Sequence, residues 1–294
     1  DQIREHSLRR EIIATRVANR VVDRAGITFL FRLTEETGLS AAEVARANTA
    51  AREIFGLSGL WAGIEALDDL VDTPTQISLF LEVRRLAERA TRWLLRNHAQ
   101  PLDIAATIEF FQPGVRQLVP LIPGLVSEER RTALDRTVRS HVDGGVPEEL
   151  ARSVRTSPDL IAALDITSVA RSSERPVGEV AVVYFALDEH LRLDWLQGRI
   201  LGLPRDDRWQ ALARAALRED LHVVRSAITA EVMRTTPPGG HGREHVRAWI
   251  ATIEAAVQRC LRLLDDIAAS GRSDLATLSV ALREIRTLVR ASGG

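Results

Sequence analysis

The sequence predicts an all-α protein: an irregular multi-helix bundle whose C-terminal third is an up-down-up antiparallel three-helix bundle. Three observations carry this. Apolar residues recur at steps of three and four along most of the chain, which places them on one side of a helix. Ser, Thr, Pro and Gly punctuate the periodic runs at helix-sized intervals. Only Glu179 to Leu187, EVAVVYFAL, has the β-branched and aromatic content of a buried strand, and no second strand candidate exists to pair with it, so it too reads as helix.

In order, Leu8 to Arg24 is helical, with Ile12, Ile13, Val17 and Val21 on one side, and Gly26 breaks it. ITFLFRLTEETG makes a second short helix stopped by Gly38, where a left-handed residue is needed. Ser40 caps AAEVARANTAAREIF and Ser58 caps GLWAGIEALDD. The most sharply bounded helix runs from Thr73 to Pro101. Thr73 is its expected N-cap and Pro74 its first helical residue, since a proline there gives up only a backbone N–H that had no partner. Asn97 and Pro101 close it. Leu79, Val83, Leu86, Ala90 and Trp93 form an apolar stripe along it, and Arg85, Arg89, Arg92 and Arg96 form a basic stripe at the same steps.

Pro101 then starts LDIAATIEFF, and breaks are expected at Pro113-Gly114 and Pro123-Gly124. Ser127 opens a helix to His141, stopped by Asp143-Gly144-Gly145, and short helices follow between Pro147, Pro158 and Pro176. The implied organisation is an N-terminal helical sub-bundle over 1–143, short connecting helices over 144–176, and a C-terminal bundle over 177–294. In that bundle Trp209, Ala213, Leu217, Leu221, Val224 and Ile228 line one helix. Val246, Ile250, Ile253, Val257, Cys260, Leu264 and Ile267 line the next, and Leu275, Leu278, Leu282, Ile285 and Val289 the last. Trp93 and Trp209, each in an apolar stripe, are expected to be buried anchors.

Composition excludes several classes of function. The 39 basic and 40 acidic residues nearly cancel, so no global field draws nucleic acid or an anionic membrane, and neither is an expected partner. No apolar run approaches the roughly 20 residues of a membrane span. Cys260 is the only cysteine, which rules out an intrachain disulfide and Cys-based zinc sites and fits a reducing cytoplasm. Among aliphatic neighbours it reads as an inert core thiol. Every basic residue is arginine, so no amine is present for a Schiff base or a lysine general base. The first residue is Asp1, not Met, and the chain is read as an excised part of a longer polypeptide.

Three motifs suggest chemistry. Asp68, Asp69 and Asp72 spell DDxxD, which in an all-α protein suggests an isoprenoid-synthase-like enzyme holding a diphosphate through Mg²⁺; the cluster, however, straddles a helix end, where acids in a solvated turn are the plainer explanation. His241, Glu244 and His245 match the zinc pattern HxxEH, but in a glycine-rich turn that reads as an exposed first turn. LSAAEVARANTAAREIFG and LDITSVARSSERPVGEVAVVYFAL imitate a helix-turn-helix, yet the second helix of the latter offers valines and aromatics, not polar groups for base edges. No GxGxxG, GxxxxGK[ST] or GxSxG occurs.

Several stretches taken together, in order, resemble the C-terminal region of the large bacterial NAD-dependent glutamate dehydrogenases. They are LRREIIATRVANRVVDRAGITFLFRLTEETG, ATRWLLRN with PLDIAATI, LDITSVARSSERPVGEVAVVYFAL, and LDWLQGRI followed by RWQALARAALREDL. The resemblance implies a parent chain that oxidises L-glutamate to 2-oxoglutarate and ammonia while reducing NAD⁺. It implies catalytic lysines and a glycine loop in a separate catalytic domain, so that this segment is non-catalytic and holds no catalytic, cofactor-binding or metal residue. The implied partners are that catalytic domain and, through the parent chain, further copies in a homo-oligomer. Arg85, Arg89, Arg92 and Arg96 are then the candidate interface, guanidinium forks suited to a partner's carboxylates. The competing expectations are a free-standing Mg-dependent enzyme using Asp68, Asp69 and Asp72, and a DNA-binding regulator.

Overall fold

A computed structural model describes residues 6–292 as sixteen helices, with no strand among the described residues. They form two compact units. The first runs to Pro123 and resumes from Glu128 to Leu164; the second holds Gly124–Ser127 and the chain from Asp165 onward. The division therefore falls some twenty residues after the expected boundary near Gly144, because the helix of residues 148–160 packs into the first unit.

In the first unit, α1 (Arg9–Ala25) and α2 (Ile27–Thr37) lead into α3 (Ala41–Ile54), α4 (Leu57–Glu65), α5 (Thr73–Asn97) and α6 (Ile104–Leu118). A short α7 (Ile122–Leu125), whose last two residues belong to the second unit, precedes α8 (Glu128–Asp143) and α9 (Glu148–Leu160). The core is built around α5, which packs on α3, α4 and α9, while α3 also packs on α6. Ala47, Ala50 and Ala51 of α3 are fully buried, and such small side chains let helix axes approach closely. Asn48 Nδ2 donates to Thr91 Oγ1 at 3.2 Å inside this contact. Trp93 is buried, with Phe111 of α6 edge-on at 5.4 Å.

Several local expectations are corrected. Asp72, not Thr73, is the N-cap of α5, its Oδ1 accepting from Thr75 N at 2.7 Å; a carboxylate at that position also meets the positive end of the helix dipole. Asp103 caps α6, two residues after Pro101. Gly56 in the left-handed region opens α4, so Ser58 lies inside its first turn. Pro113-Gly114 does not break the chain but sits within α6, where Gly114 is buried. Ser40 does cap α3, in a reciprocal capping box with Glu43.

The second unit comprises most of α10 (Ala162–Ser172), then α11 (Val177–Leu191), α12 (Leu193–Leu201), α13 (Arg208–Thr235), α14 (Gly242–Thr252), α15 (Glu254–Ser270) and α16 (Leu275–Ala291). α11 is the strand-like EVAVVYFAL run. Helices α12, α13 and α14 all pack on it, and a helix surrounded in this way is apolar on every side. The C-terminal third is four helices, not three, because the expected middle helix is cut at Ile253, which leaves helical geometry at φ −128° and ψ 28°. Just before the cut, Thr252 Oγ1 donates to Trp249 O at 2.7 Å, a local bond that competes with the helical ladder. α14 then packs on α11, α15 on α16, and α16 on α13. Cys260 is buried in α15, where burial and the neighbouring Glu284 charge push its thiol pKa up to about 12.

Trp209 is not an anchor of this core. It is 75% exposed, in a stretch of α13 whose first buried residue is Leu217. The apolar periodicity continues through the first turns of α13, but the helices that cover Leu217, Leu221, Val224 and Ile228 do not cover Trp209.

Candidate functional site

The basic stripe of α5 is not one continuous surface. Arg92 points inward and is 7% exposed; its Nε donates to Glu36 Oε2 at 2.7 Å and its Nη2 to Glu36 Oε1 at 3.4 Å, a two-pronged pair with α2. Arg85 is exposed and donates to Glu82 Oε1 at 2.9 Å, while Arg155 of α9 reaches the same oxygen at 3.2 Å. Arg89 is half-buried, and that burial holds its pKa below the usual arginine value. Arg96 is exposed. Arg92, one of the four expected interface cations, is thus a core residue, and acids of the same unit engage it and Arg85.

The motif residues are likewise placed within the fold. Asp72 is committed to capping α5, and Asp68 and Asp69 are exposed in the turn before it, with Asp69 in the left-handed region at φ 60°. Among the described residues no three His, Cys, Asp or Glu side chains converge as a metal site would require. His241 is exposed at the N-cap of α14, but His245 is buried, correcting the expectation of an exposed first turn.

His245 belongs to one of two buried ionic centres in the second unit, neither of which the sequence patterns had singled out. The first lies where α10 turns into α11. Glu174 takes a left-handed conformation at φ 53° and Pro176 occupies the N-cap position of α11, which leaves Arg175 between the two helices. Arg175 pairs with Glu179 one turn along, both side chains being almost sealed from solvent. Its Nη1 donates to Thr236 O at 3.1 Å and its Nη2 to Pro237 O at 2.9 Å. A cation is thereby set against the carbonyls at the C-terminal end of α13, where the helix dipole favours it. His245 Nε2 lies 3.0 Å from Glu179 Oε1; since a carboxylate only accepts, Nε2 carries the proton and donates. Hydrogen bonds from Arg175, with smaller help from His245, hold the Glu179 carboxyl below its ordinary pKa against the opposing effect of burial. Gly242, at the start of α14, is required by this packing: a Cβ there would lie 2.8 Å from Val182 Cγ1 and 3.1 Å from Glu179 O.

The second centre joins α10, α11 and α13. Arg225 Nε lies 2.8 Å from Asp188 Oδ1, with both side chains about 95% buried, and its Nη2 lies 3.6 Å from the exposed Asp194. The guanidinium carbon sits 5.4 Å from the centroid of the Tyr184 ring. The Tyr184 hydroxyl donates to Asp165 Oδ2 at 3.4 Å, and His222 Nδ1 is 3.8 Å from that same oxygen. Burial drives the Tyr184 phenol well above its usual pKa. Burial opposes the charge on Arg225, yet Asp188, Tyr184 and Asp194 more than offset it, so that Arg225 stays protonated. A signal was present in the sequence: Glu179 and Asp188 bound the wholly apolar run from Val180 to Leu187, and Arg225 follows directly on Val224 in a core stripe.

In the first centre the charged groups bond to one another and to the C-terminal end of α13; in the second they pair with one another. The second unit is a helical module whose buried charges tie helix to helix. Within that class the chain belongs to the glutamate dehydrogenase C-terminal family, whose model matches residues 1–287. It is 38% identical over 294 residues to the NAD-specific glutamate dehydrogenase of Mycobacterium tuberculosis, which covers 99% of this chain and 18% of that protein. It is 37% identical to that of Pseudomonas aeruginosa and 34% identical to that of Halomonas elongata, each over 292 residues and again 18% of the relative. The chain thus spans less than a fifth of the length of these relatives.

Proposed function

We propose that this chain is a non-catalytic, all-helical accessory module of a large polypeptide that, as a whole, oxidises L-glutamate to 2-oxoglutarate and ammonia with NAD⁺ as acceptor. The observation that carries this is the asymmetry of the match: 99% of this chain aligns with NAD-specific glutamate dehydrogenases, but only 18% of their length. The geometry agrees with an accessory role. Arg92 with Glu36, Arg175 with Glu179 and His245, and Arg225 with Asp188 are all engaged in joining helices. A dinucleotide cradle of the strand, glycine-turn and helix type does not fit these residues, since the sequence has no GxGxxG and the described residues have no strand. That supports NAD⁺ being held elsewhere in the parent polypeptide.

The test is glutamate-dependent NADH formation by this chain and by the parent polypeptide with and without it. The expected result is no turnover by the chain alone, turnover by the parent, and weaker assembly or lower thermal stability when this segment is deleted from the parent. NADH formation by the chain alone would overturn the non-catalytic reading. A truncated parent with unchanged kinetics, assembly and melting would overturn the accessory role.

A further inference from the structure

Three helices of the first unit enclose a cleft that neither the motifs nor the ionic centres explain. Arg20, Asp23 and Arg24 recur at steps of three and four and so share one side of α1. Gly56, left-handed at φ 61°, joins α3 to α4, so that Ser58 and Trp61 line the same cleft as Arg52. Together these six residues enclose about 230 Å³. Trp61, 4% exposed, is the apolar wall, with the Arg24 guanidinium carbon 5.4 Å from its ring centroid.

The charges facing this cleft are not balanced within it. Arg24 pairs with Glu65 at 2.5 Å and Arg52 with Glu53 at 3.0 Å, but both acids are about half exposed and neither lines the cleft. Pairs with half-exposed acids are weak and screened by salt. Arg52 is almost sealed from solvent, and its Nε is buried without a hydrogen bond among the described residues, a desolvated donor of the kind that calls for an acceptor. Arg20 forms no ion pair among the described residues, although Asp23 stands one turn away. Three guanidiniums on one cleft repel one another, and the only acid in its lining, Asp23, offsets one of them.

We infer that this cleft binds an oxyanion of the phosphate class, either inorganic phosphate or the phosphate group of a small hydroxylated monoester. The lining carries two uncompensated positive charges, which matches a phosphate dianion. Arg20, Arg52 and the Ser58 hydroxyl supply donors to the phosphate oxygens from three helices. Asp23, which as a carboxylate only accepts, suits a ligand hydroxyl, and Trp61 packs against the carbon skeleton. The site lies wholly in the first unit and does not rest on the accessory reading.

The test is phosphorus NMR of inorganic phosphate and of glycerol phosphate, each titrated with the purified chain at low ionic strength. Saturable binding at one site is expected. Arg20→Ala, at an exposed position, should weaken it about tenfold, the loss of a charge-assisted hydrogen bond, while leaving the melt of the free chain unchanged. Arg243→Ala, an exposed arginine of the second unit, should leave it as it is. Tighter binding of glycerol phosphate, with the advantage lost in Asp23→Ala, would identify a monoester as the ligand; equal binding of the two would identify inorganic phosphate. No saturable binding of either, binding that Arg20→Ala does not weaken, or binding that Arg243→Ala weakens equally would overturn the inference.

Discussion

Replacing Arg225 by alanine separates a buried charge that holds helices together from one that is merely tolerated. Arg225 and Asp188 are each about 95% buried and 2.8 Å apart, so truncating one partner strands the other's charge in a low-dielectric site, a loss of about 3–5 kcal/mol. Contact with the Tyr184 face contributes roughly 0.5–2 kcal/mol within that figure. The pair with Asp194, half exposed and 3.6 Å away, contributes at most about 1 kcal/mol. Urea melts followed by circular dichroism give the midpoint shift. The double substitution Arg225→Met with Asp188→Leu keeps the volume and removes both charges, and it should recover most of the loss, since such replacements are often neutral or stabilising. The single variant should also respond to acid. Without Arg225, burial raises the pKa of Asp188 above its unfolded value of about 3.9, so the deficit is smallest below that value and grows as pH rises through the raised folded pKa. A loss under about 1 kcal/mol for Arg225→Ala, or a double variant no better than the single, would refute the ion-pair account.

Gly242→Ala should destabilise the chain by roughly 1–3 kcal/mol through overpacking against Val182, and a melt unchanged from wild type would show that α14 has room to shift. Glu179 has a folded pKa below its unfolded value, so its contribution is present above the ordinary glutamate range and disappears as pH falls through the depressed folded pKa; the melting temperature of wild type minus that of Glu179→Gln, measured across acid pH, should shrink in that direction. Cys260, with its thiol pushed up to about 12, should resist alkylation at pH 8 until the protein is unfolded. Trp93→Ala should cost about 3–5 kcal/mol by denaturant melt, because Trp93 is buried against Phe111.

What the sequence showed and what it hid divide along a physical line. Helix existence was legible because the three-four period depends only on one side of each segment being dry. That suffices for EVAVVYFAL, whose β-branched content misleads on propensity but whose surroundings in α11 require apolar residues on every side. Helix ends were less legible, since they turn on competition between adjacent groups. At the start of α5, Asp72 prevails over Thr73. At Ile253, a threonine bond and a change of packing partner cut a heptad-like run that reads as continuous. The ionic centres were hidden for another reason. Arg175 and Glu179 look like an ordinary surface pair one helical turn apart, and only the arrival of Thr236, Pro237 and His245 from distant parts of the chain makes them a core.

The stripes of α5 and α13 carry this one step further, because they share a period and have opposite fates. Arg92 follows the steps of a solvated basic face and is buried against Glu36, whereas Trp209 follows the steps of a core face and is exposed. Periodicity records that a helix face is covered, without recording by what. For Leu217, Leu221, Val224 and Ile228 the cover is the rest of the second unit. For Trp209 the stripe runs beyond that cover: each step of four turns about 40° further round the helix, so Trp209 stands about 80° from Leu217 and leaves the covered face. Trp209→Ala should therefore leave the melt of this chain within about 0.5 kcal/mol of wild type, as substitutions at exposed positions do. A Trp209→Ala loss comparable to that of Trp93→Ala would instead place its cover inside this fold and refute the reading of Trp209 as lying outside the core.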